Sequence, residues 1–362
     1  MKITDIKVKA VEVPLVHPFR ISLGVINSAI SCVVKIETDE GIIGYGEGAP
    51  GVLITGENRQ GTIAAIENHL APALIGCDPT DLEKVYWIMN RAVAAHAPCG
   101  KTAIDIACHD ILGKKAGLPV YKLLGGENNM IETDITVGID VPEIMAEKAA
   151  THVKAGFNVI KTKVGTSMAE DIARVKAIRA AVGDDVKIRV DANQAWTAKE
   201  AVNTIERLNE FGLELCEQPV RADDIDGLAY VTAHTSVPIM SDESCFNSHD
   251  ALRLVSSHAV DIVNIKLMKC GGIREAQKIN AICEAGHISV MLGCMAEETN
   301  IGVTAAASLG AACHNITRAD LDATFSLTSL PFKGGFEVRN TRELVLSEKP
   351  GFGFEGFANG EF

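Results

Sequence analysis

The chain has 362 residues, 47% of them hydrophobic and 22% charged, an ordinary globular profile with room for two domains or one large barrel with additions. Its net charge is -13, from 34 Lys and Arg against 47 Asp and Glu, with no basic run, which argues against nucleic acid or an anionic membrane as partner. No stretch approaches the length of a membrane span.

The start of the chain, Met1-Lys2-Ile3-Thr4-Asp5, runs directly into alternating residues, without the apolar core of a leader. The ten cysteines are scattered with no C-x-x-C pair, so reduced, buried thiols in a cytoplasmic protein are expected.

Residues 1 to about 50 read as antiparallel strands. Ile3 to Val13 alternates, Ile30 to Glu37 is a second run, and Asp39-Glu40-Gly41 turns the chain into a return strand from Ile42 to Glu47. His17 to Gly24 is expected to be a loop, and Gly48 to Glu57 a second one. Residues 58 to about 124 turn helical, with helix-period apolar spacing from Thr62 to Leu70, Leu82 to Ala95 and Ala103 to Lys115. His96 and His109 have no spaced partner there and are expected to be structural.

From Ile131 short apolar strands alternate with amphipathic helices. The strands run from Thr133 to Ile139, Val159 to Val164, Val186 to Asp191, Leu213 to Glu217, Val237 to Asp242, Ile262 to Leu267, Ile288 to Leu292 and Ile316 to Asp322. Eight such units predict an α/β fold, a (β/α)8 barrel. The expected division is an α+β capping domain over 1–125, the barrel over 126–324, and a segment over 325–362 that returns to the cap.

The second barrel strand carries Lys161-Thr162-Lys163. Residues i and i+2 of a strand share a face, so the two ammonium groups converge. Either they sit solvated at an exposed strand end, or anions, a substrate or a lowered pKa compensate them. Downstream, Asp191, Glu217 and Asp242 close three successive strands about one βα unit apart. Each alone could cap the following helix. Three in phase at the catalytic end of a barrel repel one another unless a hard divalent cation joins them, and all-oxygen ligation points to Mg²⁺ rather than zinc. Lys266 follows one strand later, so lysines flank the carboxylates on both sides, as proton transfer at two faces of one carbon requires.

Together, Lys161-Thr162-Lys163, Asp191-Ala192-Asn193, Glu217-Gln218-Pro219, Asp242-Glu243-Ser244 and Lys266 before Gly271-Gly272 resemble the enolase superfamily, muconate-lactonizing-enzyme-like subgroup, nearly end to end. The resemblance implies a Mg²⁺ enzyme that removes a proton α to a carboxylate, with a lysine base beside the metal. Lys163 and Lys266 would be the two acid–base groups, and the base would need a pKa well below the ~10.4 of free lysine. Lys161 would contact the substrate carboxylate, Asn193 would support the ligands, and Thr136 and Cys294 would line the substrate. Glu243 is expected behind the ligands, and Lys269 is given no chemistry.

Asp320 and Asp322, i and i+2 at the end of strand 8, resemble the Asp-x-Asp element of dipeptide epimerases, which binds the α-ammonium of the N-terminal residue; the plain alternative is a helix cap plus a surface acid. Family members acting on Ala-Glu carry an arginine in the first loop, where this chain has Gly24. Phe19, Ile21, Leu53 and Ile54 are apolar, which implies hydrophobic dipeptides. Rival activities are Ala-Glu epimerase, N-acylamino acid racemase, o-succinylbenzoate synthase and muconate cycloisomerase, and, from a different class, a non-catalytic ligand-binding barrel. Homo-oligomers are the family habit.

Overall fold

Three antiparallel strands, β1 (Ile3–Ile21), β2 (Gly24–Thr38) and β3 (Ile43–Gly48), open the chain in that order across one sheet. A computed structural model describes residues 1–21, 24–95, 97–360 and 362. In β1, Val11, Val13 and Leu15 are buried while Glu12, Pro14 and Val16 face out, the period of a half-buried strand.

The loop expected over His17–Gly24 is corrected. β1 continues through Phe19, Arg20 and Ile21, which pair with Ile26, Val25 and Gly24 after a register shift beyond Pro14. β1 is an edge strand, where Pro14 and Pro18 can be tolerated. Ser22, Leu23 and His96 lie outside the described residues.

Helix Pro98–Ala116 lies across this sheet. Gly44, Gly46 and Gly48 share one face of β3, and an added Cβ at each would run into backbone of Ala107, Ala103 and Cys99, one helical turn apart. The glycine stripe therefore sets how closely the helix seats. His109 is buried on that helix, its Nδ1 2.8 Å from Asp105 O, away from the barrel mouth.

Eight parallel strands follow: β5 (Ile135–Val137), β6 (Val159–Lys163), β7 (Lys187–Asp191), β8 (Leu213–Glu217), β9 (Ile239–Ser241), β10 (Ile262–Ile265), β11 (Ser289–Gly293) and β12 (Ile316–Asp320), hydrogen-bonded in sequence order. The first is shorter than expected. Residues 130–132 instead form β4 (Met130–Glu132), which pairs with β15 (Glu343–Leu346) in a sheet completed by β14 (Phe336–Arg339). β13 (Phe332–Lys333) and β16 (Gly356–Phe357) form a small pair.

Among the described residues, β5 and β12 share no strand ladder. Single bonds stitch that seam: Asp134 N–H donates to Ala319 O at 3.2 Å, Leu321 N–H to Thr133 Oγ1 at 2.8 Å, and Thr136 N–H to Asp322 Oδ2 at 2.7 Å. The C-terminal segment packs on the first sheet. Phe332 meets the Tyr45 ring edge-on at 4.9 Å, and the buried Asp110 carboxylate accepts from both Tyr45 N–H and Phe352 N–H. All ten cysteines are free, seven of them buried. Among the described residues, no helix is long and apolar enough to cross a membrane.

Candidate active site

Parallel strands deliver their last side chains to one end of the barrel. Asp191 ends β7, Glu217 ends β8 beside it, and Asp242 follows β9 by one residue. All three are fully buried, and each offers a carboxylate oxygen within 4.8 Å of the other two. Three lysines surround them. Lys163 Nζ is 2.5 Å from Asp191 Oδ2 and Lys266 Nζ is 2.8 Å from Asp242 Oδ2. Lys161 Nζ reaches Glu217 Oε2 and Asp320 Oδ2, each at 2.6 Å, and Asp191 Oδ2 at 3.3 Å.

The charges do not balance locally. Burial pushes the Glu217 carboxyl up to about 7, aided by Asp191 and opposed by Lys161, and its Oε2 has ion-pair proximity to Lys161 but no hydrogen bond. Burial would raise Asp242 too, but Lys266 and Lys269 hold it far below the usual carboxylate range. A buried, oxygen-only set with one under-satisfied carboxylate fits a hard divalent cation.

The carboxylates in turn act on Lys161 and Lys266. Burial favours their neutral forms, but Asp320 and Glu217 raise Lys161, and Asp242 and Glu217 raise Lys266.

A cavity opens above these groups. Its floor and walls include Thr136, Lys161, Lys163, Asn193, Lys266, Cys294, Asp320 and Asp322, and its capping side is Leu15, Phe19, Ile21, Ile26, Leu53 and Ile54. Gly24 does not line it; an added Cβ there would lie 3.0 Å from Leu53 Cδ1, so Gly24 leaves space for a lining residue. Arg20 is exposed and outside the lining.

Asp320 ends β12, but Asp322 lies beyond the strand in helical backbone, which corrects the i, i+2 placement on one strand. Both still face the cavity. Thr136 spans them, donating N–H to Asp322 Oδ2 and, at 3.4 Å, Oγ1–H to Asp320 Oδ1. Burial and the Asp320 charge push Asp322 up to about 6.

A family signature described as "Mandelate racemase / muconate lactonizing enzyme, N-terminal domain" matches residues 3–125, and "Enolase C-terminal domain-like" matches residues 144–356. The chain belongs to this enolase-superfamily family. It is 55% identical to a "Hydrophobic dipeptide epimerase" of Enterococcus faecalis, over 98% of this chain and 99% of that protein. The crystal structure of the Enterococcus faecalis dipeptide epimerase complexed with Mg and L-Leu-L-Tyr has a TM-score of 0.95 to this chain, over 98% of this chain and 99% of that one at 55% identity. A substrate-liganded L-Ala-D/L-Glu epimerase from Bacillus subtilis gives a TM-score of 0.96 at 41% identity, over 99% of this chain and 100% of that one.

In this enolase-superfamily chain a further layer of side chains backs the three carboxylates, and Lys269, Asn264 and the Gln218 amide in it had no role in the sequence reading. Lys269 is buried beneath Asp242, its Nζ 2.5 Å from Asp242 Oδ1 and 3.2 Å from Asn264 O. It rides on a single helical turn, Leu267–Cys270, so strand parity could not place it. Asn264 Nδ2 donates to Glu217 Oε1 at 2.7 Å. Gln218, in left-handed backbone at φ 35°, accepts Asp242 N–H through Oε1 and donates Nε2–H to Ser244 Oγ. Asn193, also left-handed, donates Nδ2–H to Glu243 Oε1 at 3.2 Å, so Glu243 does sit behind the ligands. Left-handed backbone just past the ends of β7 and β8 turns these amides toward the Asp242–Ser244 segment.

Proposed function

We propose that this chain is a Mg²⁺-dependent dipeptide epimerase that inverts the α-carbon of the C-terminal residue, with a preference for hydrophobic dipeptides. The observation that carries the reading is the shared cavity: two lysines from strands on opposite sides of the barrel, an acid pair at the β5–β12 seam, and an apolar capping wall. The resemblance to the Enterococcus faecalis hydrophobic dipeptide epimerase supports both the reaction and the preference.

Asp191, Glu217 and Asp242 would hold the ion. An ion held there would supply positive charge for the substrate carboxylate and would compete with Lys161 and Lys266 for the carboxylates that raise them. Lys163 and Lys266 lie on β6 and just after β10, four strands apart in an eight-stranded barrel. One takes the α-proton and the other returns a proton to the opposite face, so the overall exchange is neutral. Lys161, fixed among Asp191, Glu217 and Asp320, holds negative charge that develops on the substrate carboxylate. Asp320 is already paired with Lys161, so Asp322 carries more of the free charge for a substrate ammonium.

Leu15, Phe19, Ile21, Ile26, Leu53 and Ile54 give the side-chain pocket no cation, which disfavours an acidic residue there. This reading keeps the division into capping residues 1–125, barrel 126–324 and returning segment 325–362. It places the enzyme in the cytoplasm, in keeping with ten free cysteines, and as a homo-oligomer by family resemblance.

The test is a dipeptide library incubated with enzyme and Mg²⁺ in D₂O and read by mass gain. Hydrophobic dipeptides are expected to gain one deuterium at the C-terminal residue. Ala-Glu outperforming all of them would overturn the preference, and no gain in any dipeptide would overturn the reaction.

A further inference from the structure

Two more carboxylates are buried together where the capping sheet meets the barrel. Glu47, on β3, and Glu298, just ahead of helix Asn300–Ala312, are both fully buried. Glu47 reaches across to the first turn of that helix. Its Oε1 accepts Thr299 N–H at 2.8 Å, and its Oε2 accepts Gly302 N–H at 2.7 Å and Thr299 Oγ1–H at 2.9 Å. These are donors that a helix start leaves without an intrahelical partner, and the helix dipole favours an anion there.

Glu298 is supplied differently. Its Oε1 accepts Met295 N–H at 2.7 Å, and its Oε2 is buried without a hydrogen-bond partner. The two Oε2 atoms converge on Gly302: an added Cβ there would lie 2.6 Å from Glu298 Oε2 and 3.1 Å from Glu47 Oε2. Only a residue without a side chain admits both.

Other titratable groups face the pair: Lys266 and Glu297 from the cavity side, Cys294 at the head of the turn, Cys99 from helix Pro98–Ala116 and Cys32 from β2. Lys266 is the cation among them, and its Nζ donates to Asp242. Two buried carboxyls this close do not both ionise. Burial pushes both up, and Glu47 pushes Glu298 further. With three donors and a helix start, Glu47 is the better site for the charge.

The turn they hold matters. Met295, Ala296 and Glu297 line the cavity, and Met295 packs with Ala49, Cys99 and Met268 from both sides of the junction.

We propose that Glu47 and Glu298 share one proton, carried by Glu298, and that this pair is a positioning device fixing the 294–297 wall of the substrate cavity to the capping sheet. The proposal rests on reading that cavity as the dipeptide site. Neither residue touches the cavity, so loss of the shared proton shifts the wall and weakens substrate binding while the lysines keep their places.

The test compares wild type with Glu298→Gln and Glu47→Gln. In difference infrared spectra at neutral pH, Glu298→Gln is expected to remove one protonated-carboxyl band from the wild-type set, which also includes that of Glu217; no lost band overturns the pair. In kinetics with a hydrophobic dipeptide, wild-type KM is expected to climb about tenfold toward alkaline pH. Glu298→Gln, which cannot ionise, is expected to flatten that climb with kcat within about twofold of wild type. Glu47→Gln sets an NH₂ group against the helix donors and is expected to raise KM about tenfold at every pH. Parallel KM profiles in wild type and Glu298→Gln overturn the positioning role. A wild type that turns over no dipeptide overturns the functional reading instead, and the infrared result stands apart from it.

Discussion

The two ends of the cavity are built on opposite terms. At the barrel end Asp191, Glu217 and Asp242 are fully buried, on or just past strand ends, and tied by Lys161, Lys163, Lys266, Lys269, Asn264 and Gln218. At the capping end the side chains are apolar and partly in solvent: Leu53 is 45% exposed and its neighbour Val52 64%. The buried end can hold its charges in place because each of these carboxylates is fixed by more than one neighbouring group. The capping end has little to over-determine it, so a substitution there changes what fits without disturbing the charges below. Reaction and substrate choice are thus separable, and each prediction tests that separation.

The largest effects are expected at the buried end. Lys163→Ala and Lys266→Ala should each lower epimerisation by about 10²–10⁴-fold, the usual worth of a positioned acid or base. Each variant should still exchange the α-proton of one enantiomer, a different one in each case. Deuterium exchange from both enantiomers of a substrate reads this directly, and full activity in either variant would refute the two-base arrangement. Asp191 retains Asn193 N–H and Lys161 in the first variant, so the fold should survive. Removing the divalent ion by chelation should abolish turnover, and Mg²⁺ should restore it.

Asp322→Asn comes next. Asparagine can still accept Thr136 N–H and keep the seam, but it carries no charge. Loss of one charge-assisted bond to an ammonium is worth ~1.5–3 kcal/mol, or roughly 10- to 150-fold in KM. An N-acylated substrate, with no ammonium, should be unaffected. Asp320→Ala is less clean because it also removes one of the three carboxylates around Lys161. The pH dependence has a definite sign. Asp322, pushed up to about 6, is neutral below that pH and ionised above it. Dipeptide KM should therefore rise as pH falls through about 6, and the Asn variant should lose that rise.

The same contrast explains what could be read from the sequence. Asp191 and Glu217 were legible because strand ends and one-unit spacing fix them with no knowledge of packing. So was the barrel, since each βα unit announces itself locally. Lys269 was not, because a single helical turn carries it back under Asp242. The role of Asp322 at the seam was not, because it depends on two strands that fail to pair. The tail of β1 was not legible as strand, because it pairs with β2 only after a register shift beyond Pro14 that local pattern does not show.

The smallest and most selective effect should come from the capping end. Gly24 pairs with Ile21, a cavity-lining residue, and its missing Cβ points at Leu53 Cδ1, 3.0 Å away. Leu53 is a flexible, partly exposed side chain, so Gly24→Arg should be accommodated by a small shift of its tip. The new guanidinium would stand at the rim of the apolar wall, where an exposed ion pair is worth about 0.2–1 kcal/mol. The ratio of kcat/KM for Ala-Glu over a hydrophobic dipeptide should rise by roughly 1.5- to 5-fold. Deuterium exchange at saturating substrate should stay within about twofold, since no group below the wall is touched. If the ratio does not move, the apolar capping side is not what selects the substrate. If exchange at saturation collapses as well, the two ends are mechanically joined and the separation fails.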